Sequence, residues 1–268
     1  MPKSFIVFNG QSSIKFGLTI EELPDSNHPE RRAEPYQIEG RNGSFVHEDG
    51  VFENYEQGYA FNTRNITTGR NTYQTARDIA SWLLSSSGYC RLEDTYEPEY
   101  YRLARFAGPF NVENILRRYG RGTLSFDCRP ERYLKSGEKA ITLFENVDLS
   151  TSIIQHAFIM NPCAFSAKPL IRLTGRGQIR LMTESCDDIN ADITDLLIQL
   201  NQVDVDMSIT IDCESFEVSE PSWVTYKTLY PILPTLHPGR NQLSVTNVGT
   251  DKTGYITKLE IIPRWWTV

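Results

Sequence analysis

Pro169-Leu-Ile-Arg-Leu-Thr174, Gly175-Arg-Gly177 and Gln178-Ile-Arg-Leu-Met-Thr183 form the stretch whose reading sets the fold class. Its two runs alternate apolar and polar residues, the period of a strand with one buried face. Gly-Arg-Gly between them reads as the three-residue turn of a hairpin. The same alternation recurs at residues 206–213, 242–246 and 256–262. Residues 231–241 are rich in turn formers and end His237-Pro-Gly-Arg-Asn241. Several short strands with Gly/Pro turns imply a β-sandwich or jelly roll over residues 141–268. Residues 189–200 are the helical alternative in this half. Their apolar spacing is weak and aspartates lie close by, so they read as strand and loop.

Working back toward the N-terminus, the texture stays extended with one interruption. Phe5-Ile-Val-Phe8 is a short strand that stops at the turn dipeptide Asn9-Gly10. Phe16-Gly-Leu-Thr-Ile20 follows as a further extended segment. Gly40-Arg-Asn-Gly43 reads as a tight turn, Glu48-Asp-Gly50 as a hairpin signal between Val46 and Val51, and residues 55–61 as a strand. The interruption is TYQTARDIASWLL, residues 72–84. Tyr73, Ala76, Ala80 and Leu83 fall at helical spacing beside Ile79, with Trp82 near the stripe. Thr72 is the expected cap, and Ser85-Ser-Ser-Gly88 the stop. The expectation is one amphipathic helix packed on a sheet. A polar segment at residues 130–139 marks a boundary, giving domains 1–140 and 141–268.

The 268 residues are 40% hydrophobic and 23% charged, enough apolar mass for a real core. That excludes a mainly disordered chain. No apolar run approaches the ~18 residues of a membrane-spanning helix, so no membrane insertion is expected. Residues 1–10 lack the apolar core of a signal peptide, so the expectation is synthesis in a cytoplasm. Net charge is −7 and uneven: residues 1–140 hold 18 basic and 19 acidic side chains, residues 141–268 hold 9 and 15. An acidic balance argues against a nucleic-acid binder, which needs surplus Lys and Arg. Arg102, Arg105, Arg117, Arg118, Arg121, Arg129 and Arg132 crowd one stretch. With Glu99, Glu113, Asp127 and Glu131 among them, they read as a solvated face or as ion pairs between subunits.

Reactive chemistry is sparse. Cys90, Cys128, Cys163, Cys186 and Cys213 show no CxxC or CxxH spacing, which speaks against structural zinc or a disulfide framework. His28, His47, His156 and His237 lie far apart without metal-ligand spacing. No GxSxG, P-loop, HExxH or GxGxxG motif occurs, and no cofactor is expected. Asp187, Asp188, Asp204, Asp206, Asp212 and Glu214 are candidate glycosidase carboxylates, but acidic side chains are commonplace on sandwich turns. Trp223, Trp265 and Trp266 either stack on sugar rings or close the core or a subunit interface. Trp223 and Trp266 are the stacking candidates.

Read in order, the motifs resemble the distal tail (Dit) proteins of long-tailed, non-contractile phages of Gram-positive bacteria. The first half contributes Phe8-Asn-Gly10, Ile38-Glu-Gly-Arg-Asn-Gly43, Asp49-Gly50, Ile79-Ala-Ser-Trp-Leu83, Glu99-Tyr-Tyr101, Leu124-Ser-Phe-Asp-Cys-Arg-Pro130 and Tyr133. The second half contributes Asn161-Pro162, Ala167-Lys-Pro-Leu-Ile171, Gly175, Ile209-Thr-Ile-Asp-Cys-Glu214, Pro234, His237-Pro-Gly-Arg-Asn241 and Pro263-Arg-Trp265. The residues that carry the resemblance are Gly40, Arg41, Gly43, Gly50, Trp82, Tyr101, Pro130, Pro238, Gly239, Asn241, Arg264 and Trp265. Among them Gly40, Gly43, Gly50, Trp82, Pro238, Gly239 and Asn241 read as residues that fix shape and do no chemistry. The resemblance implies a mainly β, non-enzymatic virion protein: an N-terminal β-rich domain with one helix packed on its sheet, then a galectin-like or jelly-roll sandwich. It implies a homohexameric ring at the distal end of a phage tail, made in the bacterial host cytoplasm. Its partners would be the tail tube protein, a tail-associated fibre or hub protein and, in some relatives, receptor-binding proteins, with DNA passing through the channel. The alternative is a lectin-like adhesion module for host cell-wall saccharide.

Overall fold

A computed structural model describes residues 4–20, 24, 26–64, 72–108, 113–116, 119–150, 153–200, 206–219, 224–228, 233–248 and 254–268. It divides into two compact units, one of residues 1–132 with Val268 and the other of residues 133–267.

The first unit holds β1 (Ile6–Phe8), β2 (Gln11–Ser12), β3 (Leu18–Ile20), β4 (Arg31–Gln37), β5 (Ser44–Phe52), β6 (Tyr55–Arg64), α1 (Thr72–Leu84), β7 (Cys90–Asp94), β8 (Tyr100–Phe106), β9 (Glu113–Leu116) and β10 (Tyr119–Leu134). Its main sheet runs β2-β1-β7-β8-β10-β6-β3, with β9 on β10. Asn9 and Gly10, both at positive φ, close the β1–β2 hairpin, in which Phe8 faces Gln11. That geometry matches a two-residue primed turn. Phe16 closes a 3-10 turn, Ser13–Phe16, so only Leu18–Ile20 of that segment is strand.

The helix occupies residues 72–84, as its spacing predicts, but its buried stripe is rotated. Thr75, Ile79, Trp82 and Leu83 are buried, whereas Tyr73 is 73% exposed and Ala76 and Ala80 are half-buried. Positions 73 and 82 lie on opposite sides of the helix, so only one of the two large rings can face the sheet, and it is Trp82. The side chain of Thr72, the expected cap, lies outside the described residues. Ser85 Oγ donates to the Trp82 carbonyl at 2.8 Å, and Gly88 takes a positive φ after the helix. Against the sheet, the helix meets an aromatic core in which Phe126 contacts Phe8, Tyr59 and Phe106.

Glu48-Asp-Gly50 is not a hairpin turn. Strand β5 continues through it to Phe52, and Gly50 absorbs a φ of 75°. The β4 register shifts between Arg31 and Ala33 opposite, so the glycine serves a bulge. The real turn of this hairpin is Gly40-Arg-Asn-Gly43, with both glycines at positive φ.

The second unit holds β11 (Ile141–Asp148), β12 (Gln155–Asn161), β13 (Leu170–Ser185), β14 (Thr194–Leu200), β15 (Met207–Asp212), β16 (Glu217–Ser219), β17 (Val224–Thr228), β18 (Gly239–Asn247) and β19 (Tyr255–Ile262). Here the expected hairpin at residues 169–183 gives way to a single sixteen-residue strand, β13. Its first part lies between β15 and β19, and its second between β14 and β18. The sandwich is thus two five-stranded sheets, β11-β19-β13-β15-β16 and β12-β18-β13-β14-β17, sharing one bent strand. Strands that pass between sheets at bulges are how sandwich corners are made.

Gly-Arg-Gly is that corner. The β19 register shifts between Thr174 and Gly175, and Gly177 sits at φ 84°. A Cβ at Gly175 would stand 2.3 Å from the Tyr255 carbonyl oxygen and 3.3 Å from Ile256 Cα. Both are backbone atoms of the neighbouring strand and have little room to move. Gly175→Ala is therefore expected to cost about 1–3 kcal/mol, read as a lower midpoint in urea unfolding. Gly58→Ala is the control, since its Cβ meets only Thr123 Cγ2 at 3.8 Å, and no steric loss is expected there.

Candidate functional site

The arginine stretch is where structure and sequence part most. Arg102 on β8 and Arg132 on β10 are each only 4% exposed, so they belong neither to a solvated face nor to an exposed surface awaiting a second subunit. Strand alternation turns them to the helix-bearing side of the sheet, where they find acceptors. Arg102 donates from Nη1 to Asp94 Oδ2 at 2.9 Å, from Nε to the Tyr55 hydroxyl at 2.9 Å, and from Nη2 to Glu97. Asp94 also accepts from the Tyr59 hydroxyl at 2.8 Å and from the amides of Tyr96 and Glu97 at 2.9 and 2.8 Å. Burial, reinforced by the Asp94 charge, holds the Tyr59 phenol well above its ordinary pKa, so it stays a neutral donor. Arg132 joins through Glu97 at 3.1 Å and donates to the Asn27 carbonyl at 2.6 Å. A buried charge persists when paired and fully hydrogen-bonded, and this lattice meets that condition for Arg102 and Asp94. Arg105 and Arg129 stay outside, flanking the Tyr89 ring, with Arg105 on Asp127 at 2.6 Å. Arg117 and Arg118 lie outside the described residues.

The lattice fastens the root of the β4–β5 hairpin. Asn27, which precedes β4, is held by Arg132 and in turn donates to the Glu56 carbonyl at 2.7 Å. Asn54, which follows β5, donates to Tyr89 at 2.5 Å and to Asp127 at 3.1 Å. Beyond that root the hairpin is an arm. It forms a separate two-stranded sheet, and every residue of β4 is exposed. Tyr36, Ile38, Val46 and Val51 are 53%, 46%, 53% and 44% exposed. Tyr36 stacks on Phe45 at 5.8 Å, and Arg41 lies 4.3 Å over the Phe45 ring. Among the sequence-derived residues, Gly40, Arg41, Gly43 and Gly50 all fall on this arm.

The remaining ones are scattered through both units. Trp82 is 4% exposed, donates from Nε1 to the Phe8 carbonyl at 3.1 Å and stacks on Phe16 at 4.7 Å. Beside it lies an open cavity of about 460 Å³, lined by Gln11, Lys15, Asp78 and Ser81 among others. Arg91 stands 3.9 Å over the Tyr101 ring. Pro130 is half-buried within β10, so the segment expected to be a polar boundary begins as strand.

In the sandwich, Asn241 ties down its own loop. It accepts from the His237 amide at 2.8 Å and donates to the His237 and Gly239 carbonyls at 2.7 and 3.1 Å, while Pro238 is exposed. Gly239 sits at φ 82°. Arg264 takes a left-handed φ of 58° and grips Asp212 through two contacts of 2.7 Å. Those bonds hold the Asp212 carboxyl down at about 2. Trp265 is buried. The Trp266 ring stacks on Phe165 at 4.6 Å and its Nε1 donates to the Ser166 carbonyl at 2.9 Å, so this ring is engaged within the fold. Trp223 lies outside the described residues.

The candidate carboxylates hold the fold together. Asp187 accepts from the Arg240 amide, Asp206 pairs with Arg176, and Asp212 with Arg264; Asp204 lies outside the described residues. Among the described residues no three His, Cys, Asp or Glu side chains converge as a metal site. Burial pushes the Cys128 and Cys213 thiols up to about 12, far from nucleophilic thiolates.

No known family's sequence profile matches the chain, and no curated protein matches it by sequence. Among solved structures it is similar to the Dit protein of phage SPP1, described as a paradigm of the hub adsorption apparatus in phages infecting Gram-positive bacteria. Identity is 12%, the TM-score is 0.65, and 96% of this chain and 98% of that one are covered. A chain of the phage P2 baseplate in its activated, calcium-containing conformation aligns at 13% identity and TM-score 0.46, with 97% of each covered. The likeness to Dit is one of fold: a mainly β chain in which a helix-bearing β-domain precedes a galectin-like sandwich.

Proposed function

We propose that this chain is a structural subunit of the distal end of a phage tail. In this reading residues 1–140 assemble into a closed homohexameric ring beneath the tail tube protein and above a fibre or hub protein, and DNA passes through the channel. Residues 141–268 project as a docking sandwich for tail or receptor-binding proteins. Support comes from the fold shared with SPP1 Dit over nearly the whole chain. The observation that carries the assembly step is the β4–β5 arm. A two-stranded ribbon is marginal alone in water, and this one exposes apolar side chains along both strands while its root is clamped. Exposed apolar surface on a rigid base marks an interface. The first 140 residues are nearly neutral, so copies of this half do not repel one another strongly.

Light scattering is expected to give a mass about six times 30.7 kDa, with rings in negative stain. Paired substitutions Tyr36→Asp and Val46→Asp are expected to return folded monomers, because both side chains are exposed within one copy. A wild-type chain that stays monomeric and is absent from the tail tips of assembled virions overturns the reading.

A further inference from the structure

The sequence has two Asn-Gly pairs, Asn9-Gly10 and Asn42-Gly43, and all four residues are exposed. Glycine has no Cβ, so in each pair the backbone nitrogen that follows the asparagine is open to approach. A Cβ built on Gly10 or on Gly43 would meet no atom within 4 Å. The fold nevertheless holds the two pairs differently.

Asn9 is pinned. Its φ is 49°, and in that left-handed region ψ is about +47°. This swings the next amide nitrogen to the side of the Cα–C bond away from the asparagine side chain. The Asn9 amide donates to the Arg91 carbonyl at 3.0 Å, and the strand it ends, β1, lies between β2 and β7. Asn42 has none of these restraints. It sits in the loop 38–43, beyond the last pair of the arm's ladder, Gln37↔Ser44, and outside the left-handed region. A backbone bond from Arg41 to the Ile38 carbonyl, 3.1 Å, stops short of it. Among the described residues no hydrogen bond holds its side chain.

We propose that Asn42 is a site of spontaneous deamidation, at which the tip of the β4–β5 arm acquires an aspartate or isoaspartate. The Gly43 nitrogen gives its proton to solvent and bonds to Asn42 Cγ. The Cγ–Nδ2 bond breaks, and ammonia leaves with a proton from water. Water then opens the five-membered succinimide. Cleavage at Cγ gives aspartate, and cleavage at the backbone carbonyl carbon gives isoaspartate, with the chain rerouted through the side chain. Water is the only co-reactant, and no electrons are exchanged. The loop holds Glu39 and Arg41 and is neutral as synthesised. The product adds a carboxylate next to Arg41, whose guanidinium lies 4.3 Å over the Phe45 ring. The arm therefore carries a chemical clock at its tip. The inference concerns the free chain and does not rest on the ring.

The test incubates the full chain at mildly alkaline pH in heavy-oxygen water and maps its peptides by mass spectrometry, so that label enters only at succinimides opened during the incubation. The Asn42 amide is expected to be lost at least about tenfold faster than the Asn9 amide, because Asn9 reacts only from molecules in which β1 has opened. Isoaspartate-specific methylation is expected at position 42. In urea both pairs are expected to react at similar rates, and Asn42→Gln is expected to abolish the labelled species of the folded protein. The paired Tyr36→Asp and Val46→Asp variant runs alongside. Conversion in that variant with protection of the wild type supports the inference and locates the tip inside an assembly. Asn42 intact in both proteins overturns it. So does Asn9 converting as fast as Asn42 in the folded chain.

Discussion

Trp82→Ala is expected to destabilise the protein by about 3–5 kcal/mol, the cost of emptying a buried large aromatic site. Trp82 joins three elements at once. Its ring stacks on Phe16 at 4.7 Å and 15°, its edge meets Phe8 at 6.3 Å, and its Nε1 hydrogen is given to the Phe8 carbonyl. Truncation removes the aromatic contacts and the donor together, and the helix loses its largest grip on the sheet. Urea unfolding followed by circular dichroism measures the loss. Trp82→Phe is expected to recover part of it, because a ring returns without the N–H. A Trp82→Ala protein that unfolds like wild type would mean that Ile79 and Leu83 hold the helix by themselves.

Arg102→Ala is expected to cost a similar ~3–5 kcal/mol, for an electrostatic reason. Breaking a buried ion pair from one side leaves the other charge without its partner in a low-dielectric site. Here Asp94 would keep the Tyr59 hydroxyl and two amides but lose the guanidinium at 2.9 Å. Glu97 would keep Arg132, and the Tyr55 hydroxyl would lose the Arg102 Nε–H at 2.9 Å. Pairing the change with Asp94→Asn removes both charges, so the double variant is expected to lose less than the two single losses added together. Equilibrium unfolding of all four proteins closes the cycle. Additive losses would show that the two charges act independently.

These two sites differ in how much of them the sequence reveals. Trp82 lies in a helix whose period, stop signal and length are all local, and residues 72–84 form it. Which face is buried is less local: Ala76 and Ala80 fit the stripe by spacing, yet Tyr73 points to solvent because the Phe8 and Phe16 rings sit where Trp82 can meet them. The arginine lattice was not legible. Arg102 finds Tyr55 across 47 positions and Arg132 finds Asn27 across 105. No spacing rule links such partners, and arginine in a strand ordinarily means exposure. One clue was present, since Arg102 and Ala104 share the buried phase of β8, but a charge in that phase reads as noise until its acceptors are known.

The central strand teaches the same lesson from the other side. Ile171, Leu173, Gly175, Gly177, Ile179, Leu181 and Thr183 are all buried and all odd-numbered. The alternation never changes phase across Gly-Arg-Gly, and a continuous strand keeps phase in just this way. Glycine pairs are nevertheless the usual mark of a turn, and by composition a turn and a corner are alike.

By itself, then, the sequence determined what neighbours along the chain can settle: the helix, the Asn9-Gly10 turn, the turn-rich segment that ends at Asn241, and a mainly β chain from alternation alone. Tertiary structure decided what depends on the strand lying alongside. Gly175 bends a strand because the Tyr255 carbonyl lies where its Cβ would be. Gly50 feeds a bulge because β4 slips a residue opposite it. Arg102 is buried because β7, β6 and the turn after β7 bring Asp94, Tyr55 and Glu97 to its guanidinium. A side chain's local preference is worth less than a carboxylate at 2.9 Å or a backbone oxygen at 2.3 Å from the place its Cβ would take, and only the fold supplies those distances.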